Sequence, residues 1–313
     1  PLVYTGMIIL GGLVLGSHIG AEGFAWGVLL GSFLGPFMCP LIASVGGGIR
    51  IFPHFDLGHE EVKKYLWRAL PVMLGFSVVV LDDMLVKRGA TSLGKGLVSQ
   101  LHYARTLMKV PMGVFGLAMG MAAFPSISRL IAQKRQSEAL NLIKSAAEAL
   151  FVLVGISQAA LSVASADAAT LIWGTSRLSL ESIEAIGAYC TILCLGLWGW
   201  SLQGLIARGF YAKGQTWLPT LIGSFVALSF YPIYGWMGGE AGYAFNRSLV
   251  SFGYTIGDGA GLAFTSSLAI SCYVILLWGA LCLSFGQRWT SSLGLLGTLI
   301  KVETSVIIAV WVC

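Results

Sequence analysis

Long apolar runs separated by short polar stretches dominate the chain. Nine of them come near the about 20 predominantly apolar residues that a helix needs to cross a bilayer: 2–17, 24–46, 69–86, 97–132, 140–165, 183–208, 216–236, 259–283 and 292–312. No stretch between them is long enough for a soluble domain. The longest connections, 47–68 and 237–258, are amphipathic or glycine-rich. In the first, Glu60, Glu61, Lys63, Lys64 and Arg68 surround Val62, Tyr65, Leu66 and Trp67, which predicts a short helix lying at the membrane surface. The run 97–132 is longer than a bilayer requires: at 1.5 Å per residue it would extend roughly 54 Å, so it must tilt, protrude or bend. Pro111 supplies a bend, because it removes one backbone hydrogen bond and crowds the preceding turn. Gly113, Gly116 and Gly120 then offer a small-residue face for close helix packing.

Composition turns these runs into a membrane assignment. Of 313 residues, 56% are hydrophobic and 11% charged, with 41 glycines and a mean hydropathy of +0.82. Soluble domains carry about 25% charged residues. The shortfall leaves too little ionic surface to solvate a particle of this size, which excludes soluble enzymes and nucleic-acid binders. The fold class predicted is all-α, a polytopic helical bundle whose partner is the phospholipid bilayer. The glycines argue for helices packed in lipid rather than a β-barrel. The six cysteines, Cys39, Cys190, Cys194, Cys272, Cys282 and Cys313, fall almost wholly inside apolar runs, and Cys190 and Cys194, one turn apart, have no His or Asp at metal-ligand spacing, so they read as buried and inert. The net charge of +5 lies mostly in loops. If the spans alternate, one side collects Arg50, Lys63, Lys64, Arg68, Lys134, Arg135, Arg208, Lys213 and Arg288, and the other Lys87, Arg88, Lys95, Arg177 and Arg247. The positive-inside rule then places the N-terminus in the cytoplasm. Residues 1–17 begin at Pro1 without a charged leader and do not read as a signal peptide. Both ends lie in apolar sequence and suggest part of a longer protein.

Ionisable groups at membrane depth face a cavity, a partner or the interface. On the helix predicted over 97–132, Ser99, His102, Arg105, Thr106 and Lys109 fall within about a third of the circumference at 100° per residue. Such a stripe can line a water-filled cavity and hold an anion, with Arg offering a bidentate fork and Lys a mobile charge. The same residues could instead snorkel to the headgroups from the end of an overlong helix. Asp82 and Asp83 could coordinate a coupling cation, or pair at the interface with the adjacent Lys87 and Arg88. No P-loop, dinucleotide-binding glycine motif, HExxH motif or GxSxG elbow is present, so an ATP-driven pump or a membrane hydrolase has no visible engine, and neither an enzyme nor a cofactor is expected.

The sequence around the proline has a family likeness. Gly96-Leu97-Val98-Ser99-Gln100-Leu101-His102-Tyr103-Ala104, Leu107, Pro111-Met112-Gly113-Val114-Phe115-Gly116 and Phe124-Pro125-Ser126-Ile127-Ser128-Arg129 resemble the signature of the MurJ (MviN) lipid II flippases of the MOP superfamily. Arg208-Gly209-Phe210-Tyr211-Ala212-Lys213, with Thr216 and Pro219, is similar to that family's Arg-Ala-Phe-Tyr-Ala loop, in which Arg208, Phe210 and Tyr211 are the matching positions. Gly259-Ala260-Gly261-Leu262-Ala263 is similar to the glycine entry of a later helix. The resemblance covers essentially the whole chain, and its first span looks like the fifth of fourteen. It implies residues 1–68 as the last part of an N-terminal lobe with a cytoplasmic interfacial helix, 69–285 as a C-terminal lobe of about six spans, and 286–313 as the start of an additional helix.

The family implies a two-lobed bacterial inner-membrane protein that alternates between inward and outward openings to move a lipid-linked peptidoglycan precursor. Arg105 and Lys109 would then bind phosphate, with His102, Ser99 and Thr106 as polar neighbours and Pro111 and Gly113 as the hinge. Cell-wall synthesis proteins are the further partners it implies. The sequence departs from the family pattern in places. After Tyr-Ala the family commonly has an acid and then Arg, whereas Arg105 stands in the acidic position and Thr106 in that of the Arg. The charge is shifted by one residue, about 100° around the helix. Gln215 replaces a usual Asp, and 216–236 lacks the acidic and amide side chains that some members use for a sodium site. Two other readings stay open: a cation-coupled exporter of another lipid-linked glycan or a drug, dependent on Asp82 or Asp83, and a transport-inactive scaffold for envelope enzymes.

Overall fold

A computed structural model describes residues 2–48, 59–174, 178–251, 258–287 and 293–312. Among them the only regular elements are helices. The chain forms two compact units, Pro1–Lys63 and Lys64–Cys313.

In the first unit, α1 (Leu2–Val14) is followed by the single turn α2 (Gly16–Ile19), then by α3 (Glu22–Ser32), a π-helical stretch over Phe33–Met38 and α4 (Cys39–Gly46). α1 packs on α3 through glycines. A Cβ on Gly27 would lie 2.6 Å from the Met7 carbonyl oxygen, and one on Gly31 would lie 2.8 Å from that of Tyr4. Gly11, Gly23, Gly27 and Gly31 are the buried residues of these two helices, while Leu2, Leu13 and Leu29 point outward. This is the inverse of a soluble hairpin. Backbones meet at the small residues and bulky apolar side chains face outward, as in helices packed within a bilayer.

The second unit is built from α5 (Glu60–Leu93, from Lys64 onward), α6 (Leu97–Pro111), a π-helical stretch over Met112–Leu117, α7 (Ala118–Ala132), α8 (Gln136–Trp173), α9 (Leu180–Cys194), α10 (Leu197–Ala212), α11 (Trp217–Met237), α12 (Glu240–Ser251), α13 (Ala260–Ser284) and α14 (Leu293–Val312). α10 and α13 contribute much of its core, including Leu202, Leu205, Phe210, Leu277 and Leu281. The helix expected at the membrane surface over 60–68 is not separate, because α5 runs unbroken into the following segment. Arg68, Ala69 and Leu70 favour helix, and the helix continues through Pro71 as α7 and α11 do through Pro125 and Pro232.

Pro111 does not break its helix either. α6, the π-helical stretch and α7 form one apolar element from Leu97 to Ala132. A proline lacks the N–H for the bond four residues back, and here the ladder re-registers for one turn into wider π-helical spacing. The sharp bend comes instead at Leu195–Gly196, where α9 and α10 meet at 48°. Gly196 touches α13 there, and a Cβ on it would lie 2.8 Å from Ser267 Cα. Helix occupies each of the nine segments expected to span. Five helices are long and apolar enough to cross a membrane: Glu22–Gly46, Leu97–Ala132, Gln136–Trp173, Trp217–Met237 and Ala260–Ser284, or six if the bent pair counts as one span. The chain is thus a multi-pass helical membrane protein, with fewer such helices among the described residues than the nine runs suggest.

Candidate functional site

The buried chemistry of the second unit centres on Arg105, only 5% exposed. α5 approaches α13 at Gly89, where a Cβ would lie 2.7 Å from Leu262, and Ser92 Oγ on the next turn donates to the Gly238 carbonyl at 3.0 Å. This docking sets Asp82 and Asp83, two turns earlier on α5, beside α6. Arg105 Nη2 lies 2.8 Å from Asp82 Oδ2, and Nη1 lies 3.4 Å from Asp83 Oδ1. Nη2 also donates to Ser266 Oγ of α13 at 2.8 Å, and the Ser266 hydroxyl donates to Asp82 Oδ2 at 3.0 Å. The Tyr234 hydroxyl of α11 donates to Asp82 Oδ1. The guanidinium sits 5.6 Å from the Trp200 ring centroid of α10, a cation–π approach. Lys87 Nζ reaches Asp83 Oδ2 at 2.6 Å, so two carboxylates face two cations. Five helices are tied together by one network centred on this guanidinium.

The five-residue stripe expected on α6 therefore divides. Ser99, His102, Thr106 and Lys109 are exposed, whereas Arg105 turns inward beside Leu101, Ala104 and Met108. At 100° per residue Arg105 lies at the edge of the stripe, about 40° from Lys109 on one side and about 40° from Leu101 on the other. The two aspartates divide as well. Asp83 pairs with Lys87 as the i,i+4 spacing suggests, but Asp82 pairs with Arg105, and Arg88 turns to the Tyr231 hydroxyl at 3.2 Å. Tyr234, Ser266 and Trp200 are members that the sequence reading did not single out. A Ser or Tyr in an apolar helix is commonplace, and nothing in its own neighbourhood marks it as a partner of a residue more than a hundred positions away.

Next to this network lies a cavity of about 530 Å³. Asp82, Trp200 and Tyr234 form the wall shared with the ion pairs, and Arg208, Tyr211 and Tyr273 form another part. Gly113, Gly116 and Phe124 bring the π-helical turn and α7 into the lining. Gly116 packs on α10, where a Cβ would lie 2.9 Å from Ser201 Cα, while Gly113 has open space beside it. Arg208 donates through Nη1 to the Gly204 carbonyl at 3.0 Å and packs over Gly120. Among the described residues it has no carboxylate partner. Phe210 of the same motif is fully buried in the core, so the three motif residues split between one core anchor and two that line the cavity. Two buried polar atoms of cavity-lining residues, Trp200 Nε1 and Ser201 Oγ, have no hydrogen-bond partner among the described residues. Cys190, Cys194 and Cys282 are buried free thiols.

Long apolar helices, a proline-associated π-helical turn, a sharply broken helix pair and a largely apolar cavity with one arginine in its wall define the class: a polytopic helical membrane protein. The profile of the family described as Lipid II flippase MurJ matches residues 1–312, and the chain belongs to that family. It is 27% identical over 225 residues to the probable lipid II flippase MurJ of Rhizobium meliloti (strain 1021), an alignment that covers 70% of this chain and 42% of that protein. It is 21% identical over 334 residues to the probable lipid II flippase MurJ of Rhizobium tropici, covering 97% and 62%. A solved structure described as lipid II flippase MurJ in an inward closed conformation superposes with a TM-score of 0.68 at 19% identity, over 98% of this chain and 59% of that one. The chain spans about half the length of the curated relatives it matches.

Proposed function

We propose that the protein flips a lipid-linked peptidoglycan precursor of the lipid II type across the bacterial inner membrane by alternating access, and that this chain supplies part of that machinery. Its N-terminus lies on the cytoplasmic side, on the loop charges given above, and association with cell-wall synthesis proteins belongs to the same proposal. The observation that carries the reading at the site is the unpaired Arg208 in a largely apolar cavity within a chain matched by the family from end to end. Apolar walls exclude water and strengthen the pull of a guanidinium on phosphate oxygens.

Lys109, exposed on α6 above Gly113, is the second cation assigned to the headgroup, with Ser99, His102 and Thr106 as polar neighbours on the same face. Arg105 is reassigned. Its Nη1 and Nη2 are taken by Asp82, Asp83 and Ser266, so it positions α6 against α5 and α13 and does not grip phosphate. By the same reasoning Asp82 and Asp83 act as its counter-ions and not as a coupling-cation site. Pro111 and Gly113 supply the yielding turn beside the cavity.

Complementation of a flippase-depleted bacterium by the full-length protein tests the function. Loss of rescue is expected for Arg208→Ala combined with Lys109→Ala at unchanged membrane abundance, because each charged hydrogen bond contributes about 1.5–3 kcal/mol. Failure of the unaltered protein to rescue would overturn the function, whereas full rescue by the double variant would overturn only the site.

A further inference from the structure

A second carboxyl, partly buried, lies away from the ion-pair network, where α14 packs on α8. The two helices meet closely at Gly155, against which Val302 of α14 is set with no room for a Cβ. One turn further along α8, Gln158 is 1% exposed. Its Nε2 donates to Glu303 Oε2 at 3.0 Å. The two remaining polar atoms of this pair, Gln158 Oε1 and Glu303 Oε1, are both buried and both without a hydrogen-bond partner.

Both orphaned atoms are acceptors when Glu303 is ionised. A carboxylic acid and a primary amide, each planar, close a ring with two hydrogen bonds: N–H to one carboxyl oxygen, and O–H from the other to the amide oxygen. The first bond is present, and the atoms of the second are the two left unpaired. A single proton on Glu303 Oε1 satisfies both at once.

The surroundings supply no cation that would hold the carboxylate charged. On α14, Lys301 is two residues back, about 200° around the helix, and is exposed. On α8, Lys144, Glu148 and Asp167 stand nine or more residues from Gln158, at least about 13 Å along the axis. The other helices packed on α8 carry His102, Arg105 and Lys109 (α6), Arg129 (α7), Glu181 and Glu184 (α9) and Arg208 (α10), and among the described residues Glu303 is hydrogen-bonded to Gln158 and makes no ion pair with any of them. An unpaired buried carboxylate there is strongly disfavoured against its neutral form.

We infer that Glu303 and Gln158 form a proton-binding site: Glu303 holds a proton that closes a carboxylic acid–amide ring and joins α14 to α8. Losing the proton breaks one bond of the ring and leaves a charge in the interface, so α14 separates from α8. The site serves coupling or sensing of protons and stands independently of the substrate assigned above.

Infrared spectroscopy of the full-length protein in lipid nanodiscs tests the proton directly. At neutral pH a protonated-carboxyl carbonyl band is expected, lost in Glu303→Gln and shifted in Gln158→Leu. A spectrum in which Glu303→Gln removes only carboxylate absorption overturns the proposal. Spin labels at Ile156→Cys and Ile307→Cys, both exposed positions, report the spacing of α8 and α14. The spacing is expected to lengthen as alkaline pH removes the band and to stay constant in Glu303→Gln, which forms the ring without a titrating proton. A spacing that stays fixed while the band disappears, or that responds equally in Glu303→Gln, overturns the release of α14.

Discussion

Asp82 and Glu303 are two partly buried carboxyl groups among apolar helices of one unit, and the protein accommodates them in opposite ways. Around Asp82 every acceptor oxygen is answered: Arg105 and Ser266 meet Oδ2, and Tyr234 meets Oδ1. A guanidinium and two hydroxyls meet this carboxyl group. Around Glu303 there is one amide donor, and an oxygen on each partner is left unanswered. Burying charge is tolerable only with a paired and hydrogen-bonded counter-charge. The first site meets that condition and the second cannot, so the first binds helices by charge and the second by a neutral ring. The contrast separates structural from titratable carboxyls without reference to substrate.

The sharpest way to break the contrast is to remove the guanidinium. Arg105→Ala leaves Asp82 and Asp83 together with Lys87 paired to Asp83 and Lys109 acting on it at longer range, but with no cation on Asp82 among the described residues. Breaking a buried pair from one side costs about 3–5 kcal/mol, because the stranded charge remains. Equilibrium unfolding of the full-length protein in detergent should show a loss of that size. Arg105→Met combined with Asp82→Asn should recover much of it, since non-additivity marks a coupled pair. Losses that simply add would mean that the two side chains do not act on each other.

Much of this architecture can be read from the sequence, and the parts that cannot share a cause. Apolar runs announce the helices because lipid demands internally bonded backbone. Pro111 announces a disturbed turn, but the one-turn widening over Met112–Leu117 is seen only in the structure, where Gly116 lies against Ser201. Nothing in Leu195-Gly196-Leu197 signals the 48° bend, which follows from a contact with Ser267 on a helix about 70 residues later. Arg105 stands on the boundary of two faces, and periodicity alone cannot decide which one it joins. The arginine's one-residue displacement from the family pattern was visible, and its outcome, a turn of about 100° toward the aspartates, required the position of α5. Partners are the unreadable part, because a hydrogen bond between positions 158 and 303 leaves no mark at either.

A milder perturbation sharpens the comparison at the first site. Asp82→Asn preserves shape and keeps an oxygen for Tyr234 or for the guanidinium, while Asp83 stays 3.4 Å from Arg105. What is lost is the charge-assisted part of the pairing, and one amide N–H is left seeking an acceptor. The expected cost is about 1–3 kcal/mol, smaller than for Arg105→Ala because one counter-charge survives. A loss matching Arg105→Ala would mean that Asp83 gives the guanidinium no support.

The same chemical change at the other site should have the smallest effect. Glu303→Gln replaces carboxyl by carboxamide, as Asp82→Asn does, but here the resident group is already neutral. A Gln–Gln pair closes the same ring with two N–H···O bonds, so neither orphaned oxygen of the ionised form reappears. Since hydrogen bonds between membrane helices average about 0.6 kcal/mol in double-mutant cycles, exchanging one neutral donor for another should shift unfolding by less than about 0.5 kcal/mol. The decisive quantity is the difference between the two substitutions measured side by side at neutral pH. If Glu303→Gln cost as much as Asp82→Asn, then Glu303 would be carrying a charge that something in its surroundings compensates. The distinction between a site that keeps its charge and one that keeps its proton would then collapse.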